Sequence, residues 1–135
     1  MQIEIKTNQI PDKSSIIALY EANNWSSAKK PDKLFLAISN SQKVITAYSE
    51  DELVGLGNAI SDGHLVVYYP HLLVHPNYHG MGIGGMIMKE FQSFYSKFHQ
   101  QILVADGKAI NFYEKCGFVK AGATQSMWIY QGQDH

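Results

Sequence analysis

Arginine is absent from the chain: all eleven basic residues are lysine, set against twelve acidic residues for a net charge of −1. Duplex-binding modules depend on a basic surface and on arginine's bidentate grip on bases and phosphates, so no nucleic-acid partner is expected. Cysteine is nearly absent too. Cys116 stands alone, which excludes an internal disulfide and any multi-cysteine zinc site. The longest apolar runs, Ile16–Tyr20 and Leu65–Tyr69, fall far short of the ~20 residues a membrane span needs, so no membrane partner is expected. Met1–Ile5 has neither a basic region nor an apolar core, so no secretory leader is expected and the default location is the cytoplasm.

What is present suits one globular domain, 1–135: 45% of the residues are apolar, 12% aromatic and 17% charged. No repeat or low-complexity linker divides it. Gln2–Lys6 alternates like a strand, and Asp12 is a candidate N-cap for a helix carrying Ile16, Ile17, Leu19 and Tyr20. A second helix is expected within Lys30–Ser39. Lys43–Ser49 and Leu53–Ile60 read as a hairpin, and Asp62-Gly63 turns into a long strand, Leu65–Val74. Helical spacing of Ile83, Met86, Ile87, Phe91, Phe94 and Phe98 predicts a helix over Gly82–Phe98. A short strand follows at Ile102–Ala105, then a helix at Ala109–Lys115 with Gly117 as its C′ residue. Phe118–Ala121 and Ser126–Tyr130 read as closing strands. The fold class is α/β, with a mixed, mostly antiparallel central sheet flanked by helices.

The informative segment is His71 to Gly85. A strand stops at Pro76, and Gly80, Gly82, Gly84 and Gly85 open an amphipathic helix. Glycines let the backbone approach an anion, and a helix N-terminus offers unpaired N–H groups and a positive dipole end. A pyrophosphate suits such a turn. Gly80, Gly82 and Gly85 also satisfy G-x-G-x-x-G, with Asp106 about 20 residues further on, so a dinucleotide-binding, oxidoreductase-like domain is the alternative. Against it, His75–His79 separate strand from glycines, and the preceding strands are hairpin-linked rather than joined by crossover helices.

Val74, Pro76, Gly80, Gly82, Ile83 and Gly84 fall at the conserved positions of V-x-P-x-x-[QR]-G-x-G-[IV]-[GA], and this stretch resembles motif A of the GNAT superfamily of acyl-CoA-dependent N-acetyltransferases. A second signature, A-x-x-F-Y-x-x-x-G-F, is present as Ala109, Phe112, Tyr113, Gly117 and Phe118. The element order of the whole chain is also similar to a minimal domain of that family.

The resemblance implies acetyl-CoA as co-substrate, no metal, and direct transfer of the acetyl group to a primary amine of a small molecule or peptide, by a monomer or homodimer. A non-catalytic CoA-binding module is the further alternative. It implies that backbone groups of Leu72, Leu73 and Val74 meet the pantetheine arm, and that His79, Gly80, Met81, Gly82, Ile83, Gly84 and Gly85 hold the pyrophosphate. His79 stands where the motif has Gln or Arg, and Asp106 where relatives have a pantetheine-contacting Asn, with Asn111 as a substitute. Tyr113 is implied as general acid to the departing thiolate, since a phenol of ordinary pKa ~10 can donate that proton, the alternative being a core aromatic like Phe112. His71, where relatives often carry an acid, is a candidate general base, the alternative being a wall residue with solvent as base. Cys116 is expected to pack. The spacing of His71, His75 and His79 would suit a metal only on a helix, which Pro76 precludes. Trp25, Tyr68, Tyr69 and Trp128 are candidate walls of the acceptor pocket.

Overall fold

The computed structural model describes residues 2–132; Met1 and residues 133–135, the ends of the expected domain, lie outside the described residues. The elements run β1 (Ile3–Thr7), α1 (Lys13–Ala22), a 3-10 turn (Ser26–Lys29), α2 (Pro31–Ser39), β2 (Lys43–Ser49), β3 (Glu52–Ser61), β4 (Val66–Tyr69) and β5 (Leu72–Val74). A second 3-10 turn (Pro76–Tyr78), α3 (Ile83–Tyr95), β6 (Gln100–Leu103) and α4 (Ala109–Lys115) follow. One six-stranded sheet has the order β1-β2-β3-β4-β6, with β5 also paired to β3. Pairing is antiparallel except for β4 with β6, the ends of the crossover through α3. A single parallel pair and hairpin-linked strands cannot supply the two mononucleotide halves of a dinucleotide fold.

Period-2 alternation sends the side chains of each strand to two faces. On one face Ile45, Ala47 and Val67 pack with α3 residues Ile83, Ile87, Met88, Phe91 and Tyr95. On the other, Val44, Leu53, Leu56 and Leu73 pack with Ile16, Leu19 and Tyr20 of α1 and Leu34 and Ile38 of α2. Contact with α3 is close because β3 carries glycines there. A Cβ on Gly57 would lie 2.8 Å from the Phe91 ring, and one on Gly55 would lie 3.0 Å from Ile87. Val54 is an extra residue in β3, a bulge opposite Ala47 and Tyr48, and its carbonyl accepts the His75 N–H at 2.8 Å where β5 ends.

Three strand expectations are corrected. The predicted strand Leu65–Val74 is two strands, broken at Pro70-His71. Proline has no N–H to give a ladder, and the buried Asn58 captures His71 instead. Its Oδ1 accepts the His71 N–H at 3.0 Å, its own N–H donates to the His71 carbonyl at 3.1 Å, and its Nδ2 donates to Ser41. Pairing with β6 stops at Tyr69↔Leu103, so β5 continues on β3 alone. The predicted strands Phe118–Ala121 and Ser126–Tyr130 do not form. Gly117 (φ 101°) turns the chain out of α4, Gly122 (φ 64°) turns it again, and residues 121–132 are exposed, with no ladder partner among the described residues. The remaining elements match expectation within two residues, save that α3 ends three residues before the expected Phe98; α4 matches at both ends. Asp12 is the α1 N-cap as predicted, though its carboxylate accepts from the Ser14 and Ser15 hydroxyls rather than from a backbone amide.

Asn58→Ala leaves the part-buried His71 N–H without its partner and should cost about 1–3 kcal/mol of stability. The denaturation midpoint is the measurement; an unchanged midpoint would show that the strand break does not depend on the Asn58 amide.

Candidate active site

Beyond Pro70 the β5 edge that would have met β6 is open, and a cleft of about 500 Å³ lies along it. Leu72, Leu73 and Val74 form one wall, followed by Tyr78–Gly80 and Gly82–Gly85; Lys108, Ala109, Phe112 and Tyr113 face them, with Asn23 and Trp25 also lining the space. Successive side chains of β5 serve the two cores, so its backbone is what borders the cleft.

At the head of α3 the turn is built of glycines and the helix start is uncapped. Gly80 (φ 81°) and Gly82 (φ 80°) are left-handed, a conformation L side chains rarely adopt. The Met86 N–H already bonds to the Gly82 carbonyl, leaving the first helical amides, Ile83, Gly84 and Gly85, ahead of the intrahelical ladder. No side chain caps this end. Lys108 adds a cation to the lining. Gly84 has a second duty, since a Cβ there would lie 3.1 Å from the Phe112 ring. It lets α3 approach α4.

Three expected contacts sit differently. The His79 Nε2–H donates to the Val74 carbonyl at 2.8 Å, tying the loop to the end of β5. Because a carbonyl only accepts, this nitrogen carries the hydrogen. Met81 and Asn111 are exposed and are not among the residues lining the cleft.

Tyr113 is held by the C-terminus of α4. The Phe118 N–H donates to the Tyr113 carbonyl at 3.0 Å and the Gly117 N–H to the Glu114 carbonyl at 3.1 Å. Phe118 and Tyr113 pack edge to face, with ring centroids 5.9 Å apart. Both hydrogen bonds and the apolar contact belong to a Schellman cap, and the second sequence signature is its local code. Burial, with Cys116 nearby, pushes the Tyr113 hydroxyl up to about 12, so it is a neutral donor at any physiological pH. Burial also raises the Cys116 thiol, keeping it protonated and a poor nucleophile.

His71 lines a second cavity, of about 880 Å³, together with Ser26, Ser27, Lys29, Lys30, Tyr68, Pro70 and the chain segment from Trp128 to Gly132. Its Nδ1 lies 2.8 Å from the Tyr20 hydroxyl, and the Tyr20 and Trp25 rings meet it edge-on at 5.4 and 5.2 Å. Tyr20 is fully buried, and burial lifts its pKa well above the ordinary phenol value. Leu72 borders the first cavity and His71 the second, so the two adjoin at this peptide and at Trp25. Tyr68 and Trp128 line the second cavity and Trp25 the first, while Tyr69 lines neither and is a correction. It is buried in the α3 core, with its hydroxyl donating to Gln101 at 2.6 Å. Sequence reasoning missed Tyr20, Asn58, Tyr78 and Lys108, whose roles come from long-range packing. Only Lys108, just ahead of the second signature, left a local signal. His71, His75 and His79 each take a different partner: Tyr20, the Asn77 amide and the Val74 carbonyl. No group of three or more His, Cys, Asp or Glu among the described residues could hold a metal. No helix among them is long and apolar enough to cross a membrane.

Residues 40–120 match a family described as acetyltransferase (GNAT) domain. An uncharacterized N-acetyltransferase, ycf52, of Gracilaria tenuistipitata var. liui is 30% identical over 93 residues, covering 64% of this chain and 51% of that protein. The protein of the same name from Porphyra purpurea is 28% identical over 109 residues, 76% of this chain and 62% of the relative. The chain thus spans between half and two thirds of the length of these relatives. Among solved structures, a GNAT family acetyltransferase of Streptococcus pneumoniae TIGR4 superposes with a TM-score of 0.84 at 29% identity, covering 97% of this chain and all (100%) of that one. A probable acetyltransferase of meticillin-resistant Staphylococcus aureus superposes with a TM-score of 0.80 at 24% identity, covering 96% and 99%.

The raised Tyr113 pKa sets a pH test. A phenol held neutral in the folded state contributes stability that is fully present below its unfolded value of ~10 and is lost as pH rises through about 12. Wild type should therefore lose stability between those limits more steeply than Tyr113→Phe. Equal slopes in alkaline denaturation would mean that the hydroxyl is not desolvated.

Proposed function

The chain belongs to the GNAT acetyltransferase family, and on that footing we propose that it transfers the acetyl group of acetyl-CoA to a primary amine by direct attack within a ternary complex. The observation that carries the proposal is the meeting of three features at one cleft: the open edge of Leu72–Val74, the uncapped start of α3, and Tyr113 opposite.

The residues present fit acetyl-CoA. Backbone groups of Leu72, Leu73 and Val74 are unladdered on the cleft side and suit an amide-bearing arm. Backbone amides of Gly80 and of Gly82 through Gly85, Ile83 included, suit a pyrophosphate, with Lys108 rather than Asn111 as the cleft's side-chain contribution. His79 serves by fixing the loop to Val74. When bound, acetyl-CoA supplies an activated thioester carbonyl.

The chain's own groups then manage the protons. A neutral amine nitrogen attacks the carbonyl carbon; the N–C bond forms and the C–S bond breaks. Tyr113 gives its hydroxyl proton to the departing sulfur. His71 takes the proton lost by nitrogen, directly or through one water. Its Nδ1 faces the Tyr20 hydroxyl. In that state Nδ1–H donates to the Tyr20 oxygen, which supports the imidazolium. No covalent enzyme intermediate is needed, in keeping with the protonated Cys116.

Steady-state kinetics on a panel of amines, following free thiol release, test the proposal. Tyr113→Phe should lower kcat about 10²–10⁴-fold with little change in the KM for acetyl-CoA. His71→Ala should lower kcat/KM and remove an imidazole limb from its pH profile. His75→Ala, whose ring accepts from the Asn77 amide, should keep the wild-type profile. Cofactor binding with no acetylation of any amine would favour a non-catalytic CoA-binding module, and wild-type turnover in Tyr113→Phe would remove the general-acid role.

A further inference from the structure

The second cavity has a chemical bias that the proposed acetyl transfer does not itself require. Among the described residues its charged lining is of one sign. Lys29 and Lys30 border it, and no carboxylate does among the described residues. Neither lysine makes an ion pair among the described residues; the two pairs found there, Lys6 with Glu4 and Lys13 with Asp32, lie elsewhere. The start of α2 does not account for Lys30 either. It occupies the N-cap of α2 and makes no capping hydrogen bond. That position favours Ser, Thr, Asp or Asn, and the positive end of the helix dipole disfavours a cation. A residue that breaks the local rule at the wall of a cavity points to a ligand.

The other walls describe the rest of that ligand. Tyr68, Trp128 and Tyr130 give flat apolar surface. The Ser27 hydroxyl is buried with no hydrogen-bond partner among the described residues. The volume, about 880 Å³, is within the range of small-molecule sites. His71 lies on the same wall, beside the peptide that separates this cavity from the cofactor cleft.

We propose that the second cavity is an acceptor site selective for a small primary amine that also carries an anionic group, a carboxylate or a phosphate. Lys29 and Lys30 hold the anion, and the nitrogen is directed toward His71. This inference rests on the acetyltransferase reading for its choice of amine and on the cavity alone for its choice of charge. Diamines and polyamines, which bring a second cation to the lysines, are rejected by like-charge repulsion.

The test compares ω-amino carboxylates and aminoalkyl phosphates of increasing chain length with amino alcohols and diamines of the same lengths, at fixed acetyl-CoA. For the better anionic series kcat/KM should exceed that of the neutral and dicationic series by at least about tenfold; which anion wins identifies the carboxylate or the phosphate. Lys29→Met and Lys30→Met should each raise KM for the anionic acceptor about fivefold, and together more, with kcat and the KM for acetyl-CoA unchanged. Lys30→Arg should restore most of the loss, and added salt should weaken anionic acceptors selectively. Preference for diamines, or an anionic KM unmoved in the double variant, would overturn the proposal. A calorimetric arm separates it from the catalytic reading. If no amine is acetylated, the CoA-bound protein should still bind the anionic compounds more tightly than the neutral ones and lose that margin in the double variant. Equal binding of all series would sink the charge selection independently of turnover.

Discussion

The cleft depends on a strand that leaves its neighbour. Up to Tyr69 the chain pairs with β6; from Leu72 it pairs only with β3. Pro70 cannot extend the ladder, and the Asn58 side chain answers the His71 N–H that the ladder would have used. A buried amide thus substitutes for a strand. Everything that follows in space relies on that substitution, because it exposes one edge of Leu72–Val74 and sets His71 on the wall between two cavities. The close seat of α3 on Gly55 and Gly57 then brings the head of that helix to the end of the open edge.

Charge is handled mainly by the backbone. A chain without arginine can still offer an anion site if a helix start is left uncapped and the turn before it is glycine, and the Gly80–Gly85 segment does both. The two phenols flanking the cavities, Tyr20 and Tyr113, are held neutral by burial. They can donate or accept hydrogen bonds without adding charge. The cations that remain are sorted between the cavities, with Lys108 at one and Lys29 and Lys30 at the other.

The sequence made some of this legible and concealed the rest, for identifiable reasons. Local code was readable. The apolar spacing of α3, the glycines before it, and Gly117 with Phe118 closing α4 all act within a turn or two of chain. The family resemblance rested on the same local stretches, and it pointed to the lining of the first cleft apart from Met81 and Asn111. Long-range choices were not readable. The single strand expected over Leu65–Val74 is broken by a partner twelve positions upstream of Pro70, which no periodicity could reveal. Phe118–Ala121 and Ser126–Tyr130 have strand-like composition, yet a strand exists only where an edge receives it. Tyr69 and Tyr68 are neighbours of identical chemistry with opposite fates, one buried in the core and the other on a cavity wall, decided by the face each presents.

The central claim is that the open β5 edge and the uncapped head of α3 form one cofactor-binding surface. The most direct measurement follows the backbone amide resonances of the isotopically labelled protein as CoA is added. The account predicts that the largest changes fall together on Leu72–Val74 and on Met81–Gly85, with Tyr113 moving in step and β1 and β2 undisturbed. Changes confined to one of those two segments, or centred away from both, would contradict it.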